Sequence, residues 1–174
     1  MNYQKGKGKT LSRIQKEILK DIIALGNSSY VYDNTAYLIF GLEEMNGDFI
    51  SIREIKNHSV LFQQIAFLCR KYISPCFNIS PISLSINEIF NMVNSGKIVK
   101  KIPFTPKQED PTCTEKIIVI QITREPKECL ELNQSISWLS KKDIKTIPKG
   151  KSWIRVGSHT FDILNEERKK LFTI

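Results

Sequence analysis

Trp153-Ile154-Arg155-Val156-Gly157-Ser158-His159-Thr160-Phe161-Asp162 is the most informative stretch of the chain. Its first four residues run aromatic, aliphatic, cationic, aliphatic, which predicts a short strand with Trp153 and Arg155 on one face. Gly157 ends that strand. Ser158 and Thr160 then offer hydroxyls ahead of the Glu- and Lys-rich run from Asn165 to Leu171, the pattern that opens a helix. An arginine beside a glycine turn, with backbone N–H groups following it, suits a phosphate. The same residues also fit a plainer arrangement, an edge strand, a turn and a solvated helix with Arg155 merely exposed.

Working outward, Lys116-Ile117-Ile118-Val119-Ile120-Gln121-Ile122 is nearly continuous in apolar residues, which predicts a strand covered on both faces. Leu11, Ile14, Ile18, Ile22 and Leu25 recur at helical steps. Ser12 and Gln15 form a capping box at the start of that helix, and Gly26 suits its end. A strand over residues 36–42 follows, and Asn46-Gly47 is a hairpin signal with residues 49–52 returning. Val60, Ile65, Leu68 and Tyr72 predict a second helix stopped before Pro75, and residues 77–86 alternate as a strand despite Pro81. Residues 91–114 read as a long loop, punctuated by Asn91, Gly96, Pro103, Pro106 and Pro111. The fold class is α/β (α+β): a basic arm over residues 1–11, then one mixed-sheet domain with flanking helices over residues 12–174.

Bulk properties narrow the function. The 174 residues are 41% hydrophobic, enough for a sizeable core. No apolar run nears the roughly 20 residues that span a bilayer, and the basic N-terminus lacks a signal-peptide core, so a cytoplasmic protein without membrane partners is expected. Cys69, Cys76, Cys113 and Cys129 form no Cys-x-x-Cys pair, and neither His58 nor His159 stands at a zinc-finger spacing from them. Cys69 reads as a buried thiol. Gly8-Lys9-Thr10 resembles the end of a phosphate loop, but the earlier glycine is Tyr3 and no strand precedes it.

The net charge of +8 is unevenly placed. Lys5, Lys7, Lys9, Arg13, Lys16 and Lys20 crowd the first twenty residues against Glu17 alone. Lys141, Lys142, Lys145, Lys149, Lys151 and Arg155 crowd a second stretch against Asp143 alone. Two such clusters favour a polyanion, of which nucleic acid is the commonest. Tyr30, Tyr32 and Tyr37 are candidates for stacking on unpaired bases.

Three motifs in order resemble the Schlafen/AlbA-type domain, often described as DNA-binding. They are a helix ending Ala24-Leu25-Gly26-Asn27-Ser28, a strand Tyr37-Leu38-Ile39-Phe40-Gly41-Leu42 running into Glu43-Glu44, and the late Ile154-Arg155-Val156-Gly157-Ser158. The resemblance spans roughly residues 12 to 170. It implies the family's fold and a nucleic-acid partner, RNA or DNA, with homo-oligomers or fused effector domains as further company. Two family features are absent: the upstream Glu-rich motif, where residues 3–10 hold no acid, and the Gly-Gly turn, replaced by residues 29–36.

In Schlafen-type ribonucleases the carboxylate matching Glu43 or Glu44 joins two upstream glutamates around a divalent ion. Without those acids, Glu43 and Glu44 are weak catalytic candidates and Glu44 a weak metal ligand. The expected function is therefore a non-catalytic nucleic-acid-binding domain, largely indifferent to sequence. Its contacts are expected from Arg155, Gly157, Ser158, His159, Lys151, Lys9, Lys7 and Asn27, with no cofactor. The alternatives are a metal-dependent endoribonuclease using Mg²⁺ or Mn²⁺, and a protein-interaction or assembly module.

Overall fold

A computed structural model describes residues 10–33, 35–45, 48–52, 58–77, 79–85, 116–122, 128–140 and 143–172. Helix α1 (Arg13–Val31) opens the fold, followed by β1 (Ala36–Phe40), β2 (Leu42–Met45) and β3 (Asp48–Ile52). Helix α2 (His58–Tyr72) precedes β4 (Ile73–Ser74), β5 (Ile79–Ser85) and β6 (Lys116–Ile122). The C-terminal part holds β7 (Glu131–Leu132), β8 (Ile136–Ser140), β9 (Asp143–Ile147), β10 (Trp153–Val156), β11 (His159–Asp162) and α3 (Asn165–Leu171).

The fold is mixed helix and strand, but the strands do not join one mixed sheet. Among the described residues they make a three-stranded sheet ordered β1-β6-β5 and four two-stranded pairs, β2-β3, β4-β7, β8-β9 and β10-β11. Strands of two to seven residues leave little edge on which to extend a common ladder. The chain gathers into two compact units. One comprises Met1–Ala36, Gln64–Asn78 and Ile122–Ile174, the other Tyr37–Gln63 and Ile79–Gln121.

In the second unit, β6 is the central strand, and Val119 and Ile120 are both buried although neighbours on a strand face opposite ways. The expected two-sided cover is present. Strands β2 and β3 pair with Met45 opposite Asp48, two residues between them as the Asn46-Gly47 signal predicted. The register shifts between Glu43, opposite Ser51, and Glu44, opposite Phe49, so Ile50 is an extra residue on β3.

In the first unit, α1 starts with the predicted capping box. Ser12 Oγ accepts the Gln15 N–H at 3.1 Å, and Gln15 Oε1 accepts the Ser12 N–H at 2.9 Å. Gly26 does not end this helix, which continues to Val31. A Cβ at Gly26 would collide with Leu130 Cδ1, so glycine serves close approach here. Leu19, Ile22, Ile23 and Ala24 form the buried stripe of α1. Burial pushes the Cys69 thiol up to about 12, with nearby Cys76 adding to the effect, so Cys69 stays a protonated core residue. The long loop expected over residues 91–114 lies outside the described residues.

Candidate nucleic-acid interface

The end of α1 anchors the late strand. Asn27 is fully buried, and its Nδ2 lies 3.0 Å from Leu130 O, 3.0 Å from Ser152 Oγ and 2.9 Å from Trp153 O. Its Oδ1 accepts the Leu130 N–H at 2.8 Å. Two amide protons thus serve three acceptors, and Ser152 Oγ donates in turn to Leu130 O at 2.6 Å. Asn27 joins α1 to two chain segments more than a hundred residues away. Expected among the nucleic-acid contacts, it is instead an internal tie with no surface to offer a ligand.

Ser28 holds the next link. Its Oγ accepts the Arg155 N–H at 2.8 Å and stands 2.7 Å from Arg155 O and 2.8 Å from Ala24 O, either of which takes its proton. Strands β10 and β11 pair antiparallel, with Val156 opposite His159 and Arg155 opposite Thr160. In such a ladder the pair next to the closing pair turns its backbone groups outward. Those outward groups of Arg155 meet Ser28. A serine side chain therefore takes the place of a third strand and fixes the arginine's main chain.

Gly157-Ser158 is a two-residue hairpin turn, with Gly157 at φ +60° and Ser158 not in the left-handed region, the arrangement of a type II′ turn. The helix expected over Asn165–Leu171 is present as α3, but Ser158 and Thr160 do not cap it. They belong to a hairpin, and at the helix start Glu167 Oε2 accepts the Leu164 N–H at 3.0 Å. What survives for an anion is the turn itself, whose two N–H groups lie outside the ladder. Nothing stands within 4 Å of a Cβ built on Gly157. Ser158 Oγ lies 3.1 Å from His159 Nδ1, and both residues are exposed.

The Arg155 side chain is 35% exposed and loosely held. Nη1 is 3.8 Å from Asp21 Oδ1, and Nε donates to Gly157 O at 3.4 Å. Asp21 is half-buried; burial raises its carboxyl above the usual value, and Arg155 pulls the other way. Lys151 is held more firmly, its Nζ 2.6 Å from Asp162 Oδ2.

One lysine from each basic cluster stands at Trp138 on β8. Lys16 Nζ lies 4.9 Å from the Trp138 ring centroid, and Lys145 stands directly across from Trp138 on β9. Leu11 bridges Trp138 in parallel, its N–H donating to Ser137 O at 2.8 Å. Arg13, Lys16 and Lys20 share a helical face by their spacing. Lys7, Lys9, Lys141 and Lys142 lie outside the described residues, as do the side chains of Glu43 and Glu44. Tyr30 is not a free stacking surface, since its ring packs on Phe172 at 5.2 Å.

Ser28, Asp21, Trp138 and Phe161 are the residues that sequence reasoning missed. Trp138 had a signal, because Ile136 and Trp138 alternate with serines as strand residues do. Among the described residues no group of His, Cys, Asp or Glu is arranged to hold a metal ion, and no helix is long and apolar enough to cross a membrane. No protein-family model, no curated protein and no solved structure matches this chain.

Proposed function

We propose that this chain is a nucleic-acid-binding domain of the Schlafen/AlbA type that grips the phosphate backbone with little regard to sequence. The observation that carries this reading is Arg155. Ser28 fixes its main chain beside an open glycine turn, while its guanidinium keeps two long contacts, a 3.8 Å ion pair with Asp21 and a 3.4 Å hydrogen bond to Gly157 O. Both side chains of the ion pair are 35% exposed, and a solvent-screened pair at that distance is worth about 0–1 kcal/mol, so a phosphate can recruit the guanidinium at little cost. Charge-assisted hydrogen bonds to phosphate are stronger, and the turn's two N–H groups lie outside the ladder. The surplus of eight positive charges and the presence of Lys16 and Lys145, one from each basic cluster, at Trp138 favour a polyanion. The order of the three motifs supports the family assignment. Contacts of this kind position a backbone without reading bases. Removing Arg155 should therefore weaken binding to unrelated RNA and DNA sequences alike; a loss confined to one sequence would refute the reading.

One observation favours a second reading, a protein-interaction or assembly module. Leu139 and Ile144 stand opposite each other across the β8-β9 pair, and both are largely exposed. A monomer in solution that gains no partner through this face would leave the first reading alone.

A further inference from the structure

The face of the β10-β11 hairpin that bears Ile154 has two halves. Cross-strand partners share a face, so Ile154, Val156, His159 and Phe161 stand together, opposite the face of Trp153 and Arg155. Near the base, Ile154 is buried with Ile163 and Phe172. Near the tip the face is open: Phe161 is 52% exposed, Val156 46%, and His159 is exposed as well. The Phe161 and His159 rings lie 6.3 Å apart at 37°, two neighbouring π surfaces on an ordered ribbon.

Resting on the nucleic-acid reading above, we propose that the Val156, His159 and Phe161 face is a stacking surface for unpaired bases, and that the partner is single-stranded nucleic acid. Three arguments select this occupant. A protein interface takes about 800 Å² and 20–30 residues a side, far more than three side chains supply, whereas one or two bases need no more. The surface adjoins a turn and an arginine suited to phosphate, so base and backbone of one strand are served from two faces of the same hairpin. Along a strand, Phe161 and His159 are separated by about 7 Å, comparable to the spacing of successive nucleotides in an extended strand. In a duplex the base faces are already stacked on one another, so only an unpaired strand can use the surface. Because every base has a π face, this deepens the partner class without adding sequence preference.

The test is fluorescence anisotropy with a labelled 12-nucleotide oligo(dT), the same length of strand made of abasic sites, and a duplex, against the full chain and Phe161→Leu. Leucine keeps an apolar side chain and removes the ring; thermal denaturation checks that the fold is retained, and Phe161→Trp provides a second variant that restores a π surface. The expected result is roughly tenfold weaker oligo(dT) binding by Phe161→Leu, with the abasic strand and the duplex unaffected and Phe161→Trp at least as tight as the native chain. Equal oligo(dT) affinity for the native chain and Phe161→Leu overturns the stacking surface while leaving backbone binding intact. So does an equal loss on all three probes. No binding of any probe at low salt overturns both this inference and the function it rests on. A native dimer that Phe161→Leu converts to monomer would assign the face to self-association instead.

Discussion

Asn27 spends its amide entirely inside the protein, on Leu130, Ser152 and Trp153. Asn27→Ala leaves the buried Leu130 N–H without its partner and should cost about 1–3 kcal/mol in chemical denaturation. An unchanged midpoint would mean that the tie contributes nothing. Asp21 gives a pH-dependent expectation. Its folded-state carboxyl is raised above 3.8 by burial, with Arg155 opposing. Relative to the unfolded chain, folding thus favours the protonated acid. Its stabilising contribution is full below the unfolded value and is lost as pH rises through the folded value. Asp21→Asn should therefore match the native chain at low pH and become relatively more stable as pH rises past the carboxylate range. A variant less stable than the native chain at neutral pH would reverse the sign. The same substitution should tighten nucleic-acid binding, because it removes the acid that competes for Arg155.

Elements with strong periodicity were legible in the sequence. Helix α1 was legible from the repeat of Leu11, Ile14, Ile18 and Ile22 with the Ser12–Gln15 box, although Ile14 is 72% exposed and the buried apolar residues are Leu19, Ile22, Ile23 and Ala24. Strand β6 was legible from its nearly unbroken aliphatic run. Val119→Asp should unfold the protein by burying an unpaired charge at a site 2% exposed. A soluble variant with native thermal stability would show that β6 is not core. Strand β11 was not legible, because Ser158 and Thr160 satisfy a helix cap and a hairpin equally well by type. What decides between them is the pairing of Val156 with His159, a fact of partners rather than of local preference. Arg155 and its glycine turn could be read from adjacency alone. The role of Asn27 could not, since Leu130 lies 103 residues away and no pattern links them. Strand β2 carries Glu43 and Glu44 on the two sides of a register shift. With no acid in residues 3–10 to complete a metal site, the protein incubated with Mg²⁺ or Mn²⁺ should leave tRNA and single-stranded RNA intact. Cleavage abolished by Glu43→Gln or Glu44→Gln would make it a nuclease.

For the whole molecule, charge and geometry point the same way. A surplus of eight positive charges draws a polyanion from a distance but names no site. A site differs from a diffuse field in that one residue matters more than its charge. The most direct measurement is affinity for unrelated RNA and DNA strands across a salt series, for the native chain, Arg155→Ala and Phe67→Glu. Phe67 is exposed on α2, outside both basic clusters, and its replacement changes the net charge by the same amount. Arg155→Ala should lose roughly 1.5–3 kcal/mol on every sequence and lower the salt slope by about one, while Phe67→Glu has a much smaller effect. Equal losses in the two variants, or an Arg155→Ala slope identical to that of the native chain, would contradict a phosphate site at Arg155.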